Sequence, residues 1–299
     1  MSKNKQLTEW ILHNIDCERY GNTTLQNVLV YLSHLYSDVN KVINSTGYIT
    51  TKKKLLSLSE EIEELLIKYQ KDVKAYLREN SKEIVEAESG WIKDFMDKVG
   101  VTLLIPASLL ATVRLSPIAT TSDIDGMVQG NVYKIRQTID NSLRTALMTK
   151  ESTSDVTERL EKRFETIQNN ISSDIDTYNS SMFRATDYLM FKKNETQVVF
   201  SAILDSRTCM DCYGYSGMTF ESSKAPYLPF HNRCRCSLVP SVIAGDGIPT
   251  FSEWIETLED SELKDALGKS RYELYKSGIP VNQFFKDNKA LTLEEIKNR

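Results

Sequence analysis

Cys209-Met210-Asp211-Cys212 and, eighteen residues later, His231-Asn232-Arg233-Cys234-Arg235-Cys236 form the stretch around which the chain is organised. Four of the five cysteines and one of the three histidines fall within these 28 residues. A CxxC knuckle followed at a distance by HxxC is metal-ligand spacing. Zinc takes four soft or borderline donors in a tetrahedron, and thiolates and imidazole supply them. Cys209, Cys212, His231 and Cys234 are the candidate metal ligands, with Cys236 competing with Cys234 for the fourth position. If residues 234–236 are extended, both of their cysteines lie on one face, and only one need bind. Four protein ligands leave no open coordination position, so such a zinc is structural and contributes roughly 10 kcal/mol to folding. Three alternatives remain: reduced thiols packed in a turn, disulfides formed outside the cell, and a redox or nucleophilic centre. The redox or nucleophilic centre needs a general base beside a low-pKa thiolate. His231 is the one nearby histidine, and the metal already claims it.

Just before the cluster the pattern is that of a strand. Residues 196–204 are rich in β-branched and aromatic side chains, and residues 217–220 and 237–242 are shorter candidates. The cluster is therefore expected on turns between strands. Further upstream the period is helical. Leu25, Val28, Leu29, Leu32, Leu35, Tyr36 and Val39 recur at three- and four-residue steps, and residues 44–47 supply a stop. Residues 1–20 read as a short helix or an arm. Leu58, Ile62, Leu65, Tyr69, Val73 and Tyr76 form an amphipathic seam, opposite a charged face carrying Glu60, Glu61, Lys68 and Lys71. The seam lasts under three heptads, so it reads as internal core rather than a partner site. Ser89-Gly90 predicts a break, and Pro106 and Pro117 place a first boundary near residue 116. Val128, Val132, Ile135, Ile139, Leu143 and Leu147 mark another helix. Asp155 and Glu158 have capping-box spacing and open the next, through Phe164. A further helix carries Ile171, Ile175, Met182, Ala185 and Leu189. Past Pro240 the chain turns helical again: Ser252 is read as a cap, Gly278 and Pro280 as a stop, and Thr292 with Glu295 as a second capping box. The expected fold is mainly α with a smaller α+β module. A helical region spans residues 1–115, an α+β domain with the cysteine-histidine cluster spans 116–243, and a helical extension spans 244–299.

Composition narrows the function classes. A formal net charge of −4 gives no global basic field for a phosphate backbone, although a local patch is still open. The first ten residues, MSKNKQLTEW, have neither an apolar core nor a small-residue cleavage site, so the chain is expected to stay in the cytosol with reduced thiols. Residues 99–113 are the most apolar run. Interrupted by Pro106, it falls short of the roughly 20 residues a helix needs to cross a bilayer. No glycine-rich phosphate loop, HExxH or GxSxG occurs, and no enzyme is expected. Asp205 and Arg207 read as a local ion pair that fixes the turn. Arg184, Thr186 and Asp187 read as a helix-to-sheet hydrogen-bond network. His13 and His34 read as ordinary surface or core histidines.

The stretch Leu204-Asp205-Ser206-Arg207-Thr208-Cys209-Met210-Asp211-Cys212, then Gly217-Met218-Thr219-Phe220, then Pro229-Phe230-His231-Asn232-Arg233-Cys234-Arg235-Cys236, resembles the phage Mu F-like family of minor head proteins. That family's pattern is an Asp-x-Arg-Thr turn with CxxC, a Gly-x-x-Phe strand and a Pro-x-His-x-x-Cys-Arg-Cys close. Arg184-Ala185-Thr186-Asp187 looks like the family's Arg-Thr-Glu helix, with aspartate at the acidic position and Ala185 inserted. Phe251-Ser252-Glu253-Trp254 and Tyr275-Lys276-Ser277-Gly278 are similar to its C-terminal extension. The resemblance covers about residues 120–299, whereas the first 115 residues match only in being helical. It implies a minor capsid protein of a tailed phage or prophage, present in few copies inside the capsid near the portal and in the host cytoplasm during assembly. The implied partners are the portal protein, a scaffold or major capsid protein, and phage DNA; the implied role is head assembly and DNA delivery. Two competitors stand beside it. One is a zinc-stapled nucleic-acid-binding module using Arg207, Arg233 and Arg235. The other is a phage-derived nuclease or toxin-related enzyme, since related modules occur joined to toxin domains.

Overall fold

A computed structural model describes residues 2–118 and 123–298. Three long helices carry it: α1 (Lys3–Thr46), α2 (Lys52–Lys98) and α5 (Thr153–Lys193). At 1.5 Å per residue each is about 60–70 Å long. The buried stripe of α1 starts at Leu7 and Trp10 and runs through Val28 and Val39 to Ile43. Residues 3–20 are thus the first turns of this helix and not a separate arm. Trp10 anchors them, with ring centroids 5.2 Å from Trp91, 5.5 Å from Phe95 and 5.9 Å from Phe191. Gly21 faces Asn179 of α5, where a Cβ would come within 3.2 Å of the amide nitrogen.

Helix α2 runs through the expected break at Ser89-Gly90. A mid-helix glycine costs about 1 kcal/mol. Beyond it Ile92, Phe95 and Met96 are all buried, each contributing about 1.5–3 kcal/mol. Burial wins and the helix continues. The seam of α2 is Leu58, Ile62, Leu66, Tyr69, Val73 and Leu77. Leu66 and Leu77 replace the expected Leu65 and Tyr76, because a 3.6-residue turn drifts away from a strict 3.5-residue repeat. Helix α5 joins the two shorter helices expected between residues 155 and 189. Its capping box is Ser152 with Asp155, three residues before the expected pair.

Residues 101–106 carry no regular structure. Leu103 is buried there while Leu104 and Ile105 are exposed, and the short α3 (Leu109–Arg114) follows. Helix α4 (Ile124–Thr149) is capped by the Asp123 side chain and packs on α2 and α5. A single apolar core extends from Leu7 to Ala244 and includes residues from α1, α2, α4 and α5. The expected division near residue 116 therefore does not separate two cores.

A three-stranded antiparallel sheet, ordered β2-β1-β3, closes one part of this core. It comprises β1 (Gln197–Ser201), β2 (Thr219–Glu221) and β3 (Ser237–Pro240). Val199 pairs with Thr219 on one side of β1, and Phe200 pairs with Leu238 on the other. Between β1 and β2 lies the short α6 (Met210–Tyr215), and α7 (Ser241–Ala244) follows β3 directly.

The C-terminal residues form α8 (Phe251–Ile255), α9 (Asp260–Lys276, interrupted at Gly268), the hairpin β4 (Phe285–Lys286) and β5 (Lys289–Ala290), and α10 (Leu293–Lys297). Thr250 caps α8 in place of the expected Ser252, and Thr292 with Glu295 caps α10 as read from the sequence. Phe251, Ile255, Leu263, Leu267, Val281, Phe284 and Ile296 build a separate apolar cluster with Tyr213 of α6. The molecule is mainly helical with a small β portion of two sheets. No described helix is long and apolar enough to cross a membrane.

Candidate metal centre

Strand β1 delivers the chain to a turn built on Asp205. The Arg207 amide donates to Asp205 Oδ1 at 3.0 Å, and the Thr208 amide donates to the Asp205 carbonyl at 3.0 Å. Arg207 pairs with the carboxylate at 3.3 Å, as expected from the sequence. The principal partner is Arg235, an arginine for which a local carboxylate is a plainer sequence reading than a phosphate. Arg235 donates from Nη1 to Oδ2 at 2.8 Å and from Nη2 to Oδ1 at 2.7 Å. This two-pronged fork ties the 205–212 segment to the 231–236 segment. Hydrogen bonding by Arg235 is the main reason the Asp205 carboxyl lies well below the usual carboxylate range.

Past the turn, Cys209 caps α6, and its sulfur accepts from the Cys212 amide at 3.4 Å. The CxxC pair therefore sits on the first turn of a short helix and not, as expected, on a plain turn between strands. The second half of the cluster hangs on α5. The Arg233 amide donates to Thr177 Oγ1 at 3.2 Å, Ser180 donates to the Cys234 carbonyl at 3.1 Å, and Arg233 pairs with Asp176 at 3.4 Å. The Cys234 amide donates back to the His231 carbonyl at 3.1 Å, closing the turn.

These supports bring all five expected residues together as two triads that share Cys212. Donor atoms of Cys209, Cys212 and His231 lie within 4.8 Å of one another, as do those of Cys212, Cys234 and Cys236. Cys234 and Cys236 both reach Cys212, as expected if residues 234–236 are extended. The Cys212–Cys234 sulfur separation is 3.8 Å, the edge of a tetrahedron with metal–sulfur bonds of about 2.3 Å. Cys212 Sγ is also 3.8 Å from His231 Nε2. His231 Nδ1 lies 2.8 Å from the Asn232 carbonyl, which holds the proton on Nδ1 and leaves the Nε2 lone pair facing the sulfurs. Cys212, Cys234 and Cys236 are buried, while Cys209 and His231 are half-buried, so the cluster opens on their side.

Electrostatics favour cation binding. The Cys209 thiol is lowered to about 6, first by its hydrogen bond with Cys212. Cys234 is also lowered, by hydrogen bonds from Cys212 and then Cys236. Cys212 is raised, because it supplies the proton to these neighbours. Burial lowers His231, but the Asn232 carbonyl and the charges on Cys234 and Cys209 more than offset it. Within this hydrogen-bonded set Cys209 and Cys234 are shifted toward the thiolate and Cys212 and Cys236 away from it; the thiolate is the form that binds a soft metal ion. The residues fit such an ion, with five donors for four positions.

Helix α6 also joins the two apolar clusters. Tyr213 stacks on Phe251 with centroids 4.2 Å apart, and its hydroxyl donates to the Asp205 carbonyl. Gly214 lies against the hairpin, where a Cβ would meet the Asn288 carbonyl at 2.3 Å, and the Ala290 amide donates to Asp211 at 2.9 Å. The CxxC knuckle is therefore the joint at which the C-terminal unit docks. Gly214 next to an aromatic residue was the available sequence signal, but its partner is 74 residues away.

Arg184 and Asp187 make a network between helices, not between helix and sheet. Arg184 pairs with Asp187 at 3.2 Å and donates to Asn14 of α1, with both charged side chains almost fully buried. Across from them, Glu88 of α2 lies near Asp187 and 2.8 Å from His13 Nε2. Burial pushes the Glu88 carboxyl up to about 7 and lowers His13 to about 4. A cleft of about 610 Å³ is lined by Cys17, Arg184, His231, Cys234 and Arg235 together with Arg19, Arg207 and Arg233. Comparison with protein-family models, curated proteins and solved structures returned no match to this chain.

Proposed function

We propose that this chain is a minor head protein of a tailed phage or prophage, of the Mu F-like kind, that associates with the portal and acts in head assembly and DNA delivery. The observation that carries this reading is the joined cluster: an Asp-x-Arg-Thr turn and CxxC bound through Asp205 and Arg235 to the HxxCRC loop. In this reading the cluster holds a structural zinc, with Cys209, Cys212, His231 and either Cys234 or Cys236 as ligands. The zinc locks α6 in the position that docks the C-terminal unit. The chain is non-enzymatic, and the long helices α1 and α2 offer the docking surface for the portal. Such a protein is assembled in the host cytoplasm and resides inside the capsid.

The test is mass spectrometry of purified particles induced from the strain that carries the gene, combined with crosslinking. The chain is expected in few copies per particle, crosslinked to the portal protein. Particles that form and infect normally without it would end the proposal. Metal analysis of the purified chain is expected to find zinc that is lost on Cys209→Ser.

A second reading, contact with nucleic acid, is favoured by the arginines along the cleft. Each is already paired: Arg207 and Arg235 with Asp205, Arg233 with Asp176, and Arg19 with Asp16. A phosphate would have to displace those carboxylates. DNA affinity that does not weaken with rising salt would exclude phosphate contact.

A further inference from the structure

Helix α1 carries His13 and Cys17 one turn apart, so both side chains stand on the same face. Glu88 reaches them from α2. His13 Nε2 is 2.8 Å from Glu88 Oε2 and 3.4 Å from Cys17 Sγ, and that sulfur is 3.5 Å from the same carboxylate oxygen. A nitrogen, a sulfur and an oxygen donor thus converge inside the helical core, on elements that take no part in the cysteine-rich loop. We propose that His13, Cys17 and Glu88 hold a second metal ion, a divalent transition metal of the zinc or cobalt class, with Asp187 as a neighbouring counter-charge.

The geometry is close to what such an ion needs. Tetrahedral bonds of usual length give sulfur–nitrogen and sulfur–oxygen edges of about 3.6 Å and a nitrogen–oxygen edge of about 3.3 Å. Both edges to sulfur are within about 0.2 Å of those values. Only the His13–Glu88 contact has to open, by about 0.5 Å. A mixed nitrogen, sulfur and oxygen set selects a borderline metal over magnesium or calcium, which take oxygen ligands.

Asp187 supplies an independent observation. Its side chain is 2 % exposed, its carboxyl lies against Glu88, and its Oδ1 has no hydrogen-bond donor. The charges also balance: a thiolate and two carboxylates carry three negative charges, against three positive charges from a divalent ion and Arg184. The surroundings fix the donors as a metal site requires. The His13 ring stacks on Trp91 at 3.4 Å, and Asp187 is held by Arg184. Cys17 and Arg184 line the cleft of about 610 Å³, which offers the ion a route in.

The experiment is metal analysis of the full chain produced in zinc- or cobalt-supplemented medium, for the unaltered protein, Cys17→Ser and Cys209→Ser. The unaltered protein is expected to hold one equivalent more than Cys17→Ser. The cobalt form of Cys17→Ser is expected to lose the thiolate charge-transfer intensity of a single sulfur. Helical circular dichroism checks that each variant folds, and Glu88→Gln, which keeps shape and hydrogen bonding, replaces Cys17→Ser if the latter does not. Equal metal content in the unaltered protein and Cys17→Ser, or no metal in either, would overturn the proposal and leave a proton-sharing network only. Loss on Cys17→Ser with no loss on Cys209→Ser would keep this site and sink the zinc at the loop.

Discussion

Replacing Asp205 with asparagine removes the tie between the two halves of the cysteine-histidine cluster. The carboxylate accepts both prongs of the Arg235 fork, at 2.7 and 2.8 Å, as well as the Arg207 amide at 3.0 Å. Asparagine keeps one acceptor and turns an amide NH₂ toward the guanidinium. Charge-assisted hydrogen bonds contribute about 1.5–3 kcal/mol each when buried. Asp205 is 31 % exposed and Arg235 25 %, so solvent screening roughly halves that figure for the fork. The expected loss is about 2–3 kcal/mol, read from urea unfolding of the metal-loaded chain. Arg235→Gln should cost about the same, and the double variant little more than either single one, giving a coupling of about 2 kcal/mol. The pH dependence has a definite sign. The folded carboxyl titrates below its unfolded value, so the stabilisation is complete above the ordinary carboxylate range and is lost as pH falls toward the depressed value. The gap between unaltered protein and variant should therefore be constant from pH 8 to about 5 and close only below about 4. If the cluster holds zinc as proposed, its affinity for the ion should fall by up to roughly 10-fold, the low end of the effect of losing a residue that supports metal ligands. A loss under about 0.5 kcal/mol, or additive single effects, would refute the role given to the fork.

Gly214→Ala drives a methyl group into the Asn288 carbonyl, and backbone cannot swing aside as a side chain does. It should cost about 1–3 kcal/mol and expose the segment after Ala244 to limited proteolysis; an unchanged digestion pattern would show that α6 does not seat the hairpin. The Tyr178 hydroxyl is buried 2.8 Å from the Leu77 carbonyl and 3.1 Å from Asn80, so Tyr178→Phe should cost about 1–2 kcal/mol by thermal unfolding. No measurable shift would mean those partners find other donors. Arg184→Met strips the counter-charge from Asp187 and should cost about 3–5 kcal/mol at neutral pH. Burial already holds Asp187 well above the usual carboxylate range, so its folded form gains protons that the unfolded form does not. Removing Arg184 pushes that carboxyl higher still, so the deficit should hold or grow as pH rises, and a deficit that narrows with rising pH would refute the assignment.

Local pattern carried far in this chain. Residues 196–204 and 237–242 each contain one strand of the three-stranded sheet and 217–220 overlaps the third, which runs on to Glu221, because β-branched and aromatic side chains state their preference within a few residues. The Thr292–Glu295 capping box held because both partners lie within one turn. Errors came where local signals compete with burial. Ser89-Gly90 looks like a break, yet Ile92, Phe95 and Met96 continue the buried stripe beyond it. Asp155 and Glu158 have capping-box spacing, but Ser152 occupies the cap and Asp155 answers it from the third position. The β4–β5 hairpin was not read at all. Its turn, Asp287-Asn288, has both residues at positive φ, a type that asparagine and aspartate favour, between strands too short to show a period.

By itself, the sequence determined which residues are chemically able to bind a metal, because spacing such as CxxC and HxxC is a property of one or two turns of chain. It also determined that the bulk is helical, because the three- and four-residue steps persist over tens of residues. Only the tertiary structure decided that Arg235 belongs to Asp205 and that α6 is the joint for the C-terminal unit. It likewise decided that His13 and Cys17 meet Glu88 and Asp187 in one buried cluster. These pairings span 30 to 174 residues of chain. They arise when separate apolar stripes bury against one another, and a polar residue inside such a stripe carries no local mark of the partner it will meet.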